Sequence, residues 1–254
     1  RLGAHIAAVF VPGPQMTARG IAQCSLGDLS PEGTPVFEVE DINATEHVRQ
    51  IRALEPDLIY QIGWSQLLKG DLLAIPVDGV IGMHCSLLPH HRGRAPIPWS
   101  IIFGLRRSGM SMFYLDTNAD KGDLIGQVTF EIGAEDYASD VYESATAAAV
   151  ELVGTYHPLL VEEKAPRISQ QGLLSDYWPK RTPADGLIDW NMSAGRLGDW
   201  VRALSHPFPG AFTTWSGSRL WIWKAKPCKG EVKREAGEVE GIVAGGIVVA
   251  TGDG

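Results

Sequence analysis

Short apolar runs alternate with segments of helical spacing through the first 160 residues, and this alternation restricts the fold more than any other feature. His5–Val11 reads as a buried strand ended by Pro12 and Pro14. Val36–Val39, Asp57–Ile62, Gly79–Met83 and Gly109–Leu115 read as further strands. Between them, Asn43–Leu54 puts Val48, Ile51 and Leu54 on one helical side, and Pro56 ends it. Gln66–Leu73 suggests a short helix, and Asp140–Leu160 a long one with an Ala-rich face. Pro96–Phe103 suggests a helix that starts at a proline, where the missing N–H costs nothing. This pattern predicts an α/β fold: βαβ units forming a doubly wound, mostly parallel sheet. Ligands of such sheets bind beyond the carboxyl ends of the strands. The turns after Ile62, Met83 and Leu115 are therefore the expected sites of chemistry.

The pattern changes after Gln170. Gln171–Asp185 is turn-rich and contains Pro179 and Pro183. Ser193–Leu204 has helical spacing, with Leu197, Trp200, Val201 and Leu204 facing a core. Four short alternating segments follow: Gly210–Trp215, Leu220–Lys224, Val239–Val243 and Ile247–Thr251. They predict a small β-barrel. The expected division is a catalytic domain over residues 1–170, a linker over 171–190 and the barrel domain over 191–254. The chain opens at Arg1 without Met and stops in a turn at Gly254, so both ends read as cut.

With 44% hydrophobic and 20% charged residues, the chain is not globally disordered. No apolar run approaches the ~20 residues that span a bilayer, and no membrane partner is expected. A net charge of −8 argues against a protein that mainly neutralises phosphates. The segment Arg219–Arg234 is nevertheless basic, carrying Arg219, Lys224, Lys226, Lys229, Lys233 and Arg234 against Glu231. It reads either as a solvated face or as a patch for a nucleotide phosphate or tRNA. Cys24, Cys85 and Cys228 form no CxxC pair, so no metal site or disulfide framework is expected. A reducing, cytoplasmic location is expected from the same usage.

Two clusters carry chemistry-bearing residues. Met83–Pro96 reads MHCSLLPHHRGRAP and follows a predicted strand. His84 stands at the strand end, where an imidazole of ordinary pKa about 6.5 moves protons near neutral pH; a histidine simply bonded to backbone fits the position too. Cys85 points to the opposite strand face, which disfavours a thiol nucleophile. Leu115–Asp123 reads LDTNADKGD and holds Asp116, Asp120 and Asp123. Asp120 or Asp123 is placed to polarise His84, although Asp, Asn and Gly together also make an ordinary solvated turn.

The run HCSLLPHHRGRAPIPW, with Asp120 following His84 by 36 residues in a D-x-G-D turn, resembles the 10-formyltetrahydrofolate-dependent formyltransferase family. IYQIGWSQLLKGDLLAIP (59–76) and IDWNMSAGRLGDWVRALSHPFPGAFT (188–213) are similar to further segments of it. The resemblance runs from about residue 5 to the end. It implies a Rossmann-like catalytic domain followed by an OB-like barrel, with a first strand and helix missing before Arg1 and part of the barrel missing after Gly254. It implies His84 and Asp120 as the catalytic pair and 10-formyltetrahydrofolate as co-substrate, without a metal. It places folate contacts on Ser86, Leu87, Leu88 and Pro89 and on Asp116, Thr117, Asn118 and Ala119, with Trp64, Gln66 and Leu67 as walls and Arg94 at the mouth. Trp64 fits an ordinary core equally, and Arg94 a surface salt bridge.

One position departs from the family pattern. Gly82 stands where the family has an asparagine, two residues before the histidine. That amide would donate to the formyl oxygen, and loss of one such donor typically costs about 10²–10³ in rate. Asn118, Ser86, Gln66 and an ordered water are the candidate substitutes. The expected acceptor is the primary amine of an amino sugar, nucleotide-linked or within a natural product. Methionyl-tRNA is the less favoured acceptor. A folate-binding module and a formyl-donor hydrolase remain alternatives, and a homodimer is left open.

Overall fold

A computed structural model describes residues 3–17, 33–228 and 234–253. Cys24, Lys229, Glu231 and Lys233 lie outside the described residues. In chain order the elements are β1 (Val9–Pro12), α1 (Pro14–Thr17), β2 (Val36–Val39), α2 (Thr45–Ala53), β3 (Ile59–Gln61), α3 (Gly70–Leu73), β4 (Val80–His84) and β5 (Arg92–Gly93). They continue with α4 (Pro96–Ile102), β6 (Arg107–Tyr114), β7 (Leu124–Glu131), α5 (Ala138–Val161) and β8 (Tyr177–Trp178). A 3-10 turn, Pro183–Gly186, then leads into α6 (Ala194–Leu204), β9 (Ala211–Trp215), β10 (Ser218–Ile222), β11 (Val239–Val243) and β12 (Gly246–Val249).

The chain forms two compact units. One comprises the described residues up to Pro96 together with Arg107–Phe130 and Ser144–Lys180; the other comprises Ile97–Arg106, Glu131–Glu143 and the described residues from Arg181. Within the first unit, β1 and β2 pair in parallel, and β3, β4, β6 and β7 form a four-stranded sheet in that order. Val80 and Ile81 of β4, Met112 and Phe113 of β6, and Ile125 of β7 are almost fully buried. Their β-branched and long apolar side chains make this sheet the core on which the site rests. α2 closes a second cluster, in which Ile51 packs with Val39, Ile42, Leu68 and Leu72. A cavity of about 990 Å³ lies between β1 and β3, with Phe10, Tyr60, Trp64 and His157 among its walls. Tyr60 donates or accepts at His157 Nδ1 across 2.9 Å.

Three expectations need correction. First, the four-stranded sheet is not mostly parallel. β3 runs parallel to β4, but β4 runs antiparallel to β6, with Gly82 opposite Phe113 and His84 opposite Ser111. Buried strands of either kind read as the same apolar run, so the pattern is silent on direction. The consequence is local: the Leu115 N–H donates to Val80 O, which puts the end of β6 beside the start of β4. Second, β7 (Leu124–Glu131) is absent from the strands read from the sequence, although its last residues, Gln127–Glu131, do alternate in burial. Third, the C-terminal strands form two separate antiparallel hairpins, β9–β10 and β11–β12, and no ladder joins them among the described residues. The turn at Ser216 and Gly217, both with positive φ, is a local hairpin signal that a sequence carries well. Closure into a barrel needs pairing between hairpins, which alternation does not encode.

Candidate active site

β4 delivers His84 to the carboxyl end of the sheet and buries it to 8% exposure. Its Nε2 lies 2.9 Å from the carbonyl oxygen of His91. A carbonyl has no proton to give, so this bond exists only when Nε2 carries the hydrogen. In the neutral ring, Nδ1 is then the unprotonated nitrogen. Nδ1 faces Asp120 Oδ1 at 3.9 Å. That exceeds hydrogen-bond length, so the two groups face each other without a direct bond. The sequence pairing of His84 with Asp120, 36 positions apart, is thus a spatial pairing; no bond ties Asp123 to the ring, and its carbonyl accepts from Tyr114 N–H.

The Asp120 loop is held from several sides. Asp120 has a positive φ of 58°, and its Oδ2 accepts the Gly93 N–H at 2.9 Å. Gln170 donates to the carbonyls of Asp120 at 3.2 Å and Gly122 at 2.7 Å, and its own carbonyl accepts from buried Arg92 Nη2 at 2.8 Å. Gly122 has no room for a side chain, since a Cβ would sit 1.8 Å from Tyr114 O. Gln170 and Arg92 brace this loop, and reading along the chain missed both. Gln170 lies 50 positions from Asp120, and no local pattern reveals such a clamp.

The Ser86–Pro89 stretch is similarly fixed. Buried Ser111 donates to Ser86 O and accepts from Leu88 N–H and from Gln127 Nε2, while Gln127 also donates to Leu88 O. Leu88 packs with Phe113 and Leu124, and the Leu88–Pro89 peptide is cis. Backbone groups of Ser86 and Leu88 are therefore engaged inside the fold, and Leu87 and Pro89 are only half-buried. Burial pushes the Cys85 thiol pKa up to about 12, which disfavours the thiolate that a nucleophile needs.

Of the substitutes considered for an amide donor, two are committed elsewhere. The Ser86 hydroxyl donates to His90 O at 2.8 Å within a fully buried environment. The Gln66 amide donates to Glu40 O and accepts from Ile42 N–H, so it ties the end of β2 to its own loop. Asn118 remains exposed on the Asp120 loop, beside Asp116, Thr117 and half-buried Ala119. Asn118 and Asp116 also border a cavity of about 620 Å³ shared with Lys121, Arg167 and Gln170, whose walls include neither His84 nor Asp120. At Gly82 the space for a side chain is already filled: a Cβ would lie 2.4 Å from Leu115 Cδ2 and 3.3 Å from Phe113 Cζ.

Of the remaining predicted contacts, Trp64 and Leu67 sit on the β3–α3 connection and Arg94 follows β5. Trp64 is half-buried against the α2 cluster, and its indole Nε1 is buried without a hydrogen-bond acceptor. Leu67 is exposed. Arg94 makes no salt bridge among the described residues; its Nη1 donates to the carbonyl of Ser65, the residue after Trp64, at 2.8 Å. In the second unit, Arg219 lies over the rings of Phe212 and Trp221, and Lys226 pairs with Glu135 at 3.5 Å.

Residues 11–154 match the family described as formyl transferase, and residues 180–254 match its C-terminal domain. The structure of HypX from Aquifex aeolicus in complex with tetrahydrofolic acid superposes with a TM-score of 0.72 at 20% identity, over 99% of this chain and 43% of that one. The chain thus spans less than half the length of HypX. A sugar N-formyltransferase from a Shewanella species gives 0.67 at 19% identity, over 89% of this chain and 100% of that one. Methionyl-tRNA formyltransferase from Clostridium thermocellum gives 0.61 at 17% identity, over 95% and 96%.

Proposed function

Because the chain belongs to the formyl transferase family, we propose that it moves a formyl group from 10-formyltetrahydrofolate to the primary amine of an amino sugar or a small natural-product amine. The observation that carries this reading is the division of labour on His84: Nε2 is tied to the His91 carbonyl, and Nδ1 faces the Asp120 carboxylate. Such a ring can take one proton at one defined atom and hold it beside a negative charge.

The folate supplies an activated formyl group on a nitrogen that leaves once protonated. The protein does the rest. As the acceptor nitrogen bonds to the formyl carbon, His84 Nδ1 takes the amine proton. Asp120 stabilises the resulting imidazolium. As the bond from carbon to the folate nitrogen breaks, His84 returns the proton to that nitrogen, so the products are a formamide and tetrahydrofolate. The Gln170 and Gly93 bonds hold Asp120 in place for both transfers. Asn118 is the remaining side-chain candidate for the developing oxyanion. Trp64 and Arg94 suit a pteridine: the buried Trp64 indole N–H lacks an acceptor, and the Arg94 guanidinium is anchored on the carbonyl of the residue that follows Trp64.

The acceptor follows from charge. A net charge of −8, with Arg219 stacked on rings and Lys226 paired with a glutamate, suits a small amine better than tRNA. The test incubates the protein with 10-formyltetrahydrofolate and a panel of free and nucleotide-linked amino sugars, small natural-product amines and initiator methionyl-tRNA. A formylated sugar or small amine detected by mass, abolished by His84→Ala, supports the reading; formylated tRNA alone overturns the acceptor assignment. A second reading is favoured by one observation, the apolar filling of the space at Gly82 by Leu115 and Phe113. It is a formyl-donor hydrolase, and formate release without any formylated amine would select it; folate binding without turnover would select a binding module.

A further inference from the structure

We propose that His91 and Asp176 form a positioning pair that locks the tautomer of His84 and thereby selects Nδ1 as its proton-transfer atom. The proposal deepens the transferase reading and rests on it for its kinetic arm only.

The tautomer of the neutral His84 ring depends on the acceptor of its Nε2–H bond. That acceptor is the His91 carbonyl, a backbone atom in the loop leading into β5. His91 has a φ of 59°, in the left-handed region that non-glycine residues rarely occupy unless something holds them there. Two bonds to one carboxylate hold it. Asp176 Oδ1 accepts the His91 N–H at 2.8 Å, and Asp176 Oδ2 lies 2.8 Å from His91 Nδ1. The His91 ring also stacks on Trp178, with centroids 4.1 Å apart and planes 13° apart. The next residues, Arg92 and Gly93, pair with Tyr177 and Trp178 as β5 and β8. His90 Nδ1 stands 3.8 Å from the same carboxylate. Burial works to raise the Asp176 pKa, but the His91 N–H and ring outweigh it, so the carboxyl is held below its usual value and remains an acceptor.

The consequence runs through one bond. If the His91 carbonyl keeps its direction, the neutral His84 ring carries its hydrogen on Nε2. If the carbonyl swings away, either nitrogen can carry it, and a ring with the hydrogen on Nδ1 cannot take a proton there. Neither His91 nor Asp176 bonds to a reacting atom in this scheme. The segment around 176 reads as linker from sequence, so nothing local signals the role.

The test is histidine nitrogen NMR on the uniformly ¹⁵N-labelled chain above pH 8, with His84 assigned by its loss in His84→Gln. The wild type should show His84 wholly as the Nε2–H form. Asp176→Ala should give a mixture of both tautomers, and Asp176→Asn, which keeps an acceptor for the His91 N–H, should restore most of the Nε2–H form. Asp176 is about half exposed, at 47%, so these variants leave the core alone. In turnover, Asp176→Ala should lower kcat about 10–100-fold with KM for the formyl donor unchanged, as expected when a catalytic group is misplaced rather than a binding contact removed. Asp176→Ala with His84 still wholly Nε2–H overturns the proposal, and so does Asp176→Asn behaving like Asp176→Ala. A wild-type protein that shows the expected spectra but formylates no amine overturns the transferase reading and leaves this one standing.

Discussion

Replacing Gly82 by asparagine, the residue that the family pattern places there, should damage the protein unless Leu115 is cut back at the same time. The Cβ of any side chain at 82 would lie 2.4 Å from Leu115 Cδ2 and 3.0 Å from its Cγ. Non-bonded carbons settle at about 3.5–4.0 Å, so the overlap is about 1 Å. Leu115 can yield because the nearest atom is the free end of a half-buried side chain. Overpacking of this kind costs about 1–3 kcal/mol. An amide buried among Leu115 and Phe113 without a partner adds about 1–3 kcal/mol. Gly82→Asn alone should therefore lose about 2–6 kcal/mol, and Gly82→Ala only the overpacking part of it, about 1–3 kcal/mol. Leu115→Ala removes the obstructing atoms, so the double variant should cost less than the two singles together, by about 0.5–3 kcal/mol. Urea unfolding of the four proteins, followed by tryptophan fluorescence, measures this coupling. Costs that add within about 0.3–0.5 kcal/mol would show that Leu115 does not occupy the space and would refute the reasoning. A kinetic arm goes further. Residues 82 and 84 share a strand face, so the double variant should gain the amide donor that the single variant cannot seat. Formyl transfer should fall in Gly82→Asn and recover to wild-type level or above in the double.

Three further outcomes are expected. Gly122→Ala should destabilise more than Gly82→Ala, because its Cβ meets the backbone oxygen of Tyr114 rather than a movable side chain; thermal unfolding of the two variants makes the comparison. Burial, with a smaller contribution from Tyr114, raises the Tyr60 pKa to about 12, so the folded state favours the neutral phenol. That stabilisation is complete below the ordinary value of 10 and is lost as pH rises toward 12, so Tyr60→Phe should lose less stability than wild type between pH 10 and 12 in a melting series. His84→Ala should remove most turnover while titration calorimetry shows reduced-folate binding nearly unchanged, since no folate contact is assigned to that ring.

The two halves of the candidate site were legible in the sequence, because each follows a predicted strand and packs its polar residues into one short run. His84 at the end of an apolar segment and Asp120 in an Asp-Gly turn are local facts. So are β2, β4, α4 and α6, whose periodicity and proline or serine starts coincide with the elements found, within a residue or two. Tertiary structure decided the rest. It set β6 antiparallel to β4, because a buried strand exposes the same apolar pattern in either direction. It put Gln170 under the Asp120 loop and Asp176 against His91, pairings across 50 and 85 positions that no window along the chain contains. It filled the space at Gly82 with Leu115, so that a missing side chain read from sequence as a missing donor is, in the folded chain, a position closed by packing. Sequence specifies which groups are present and the local periods that aim them. Which nitrogen of His84 carries the proton depends on a carbonyl seven residues on, and only the folded backbone sets its direction.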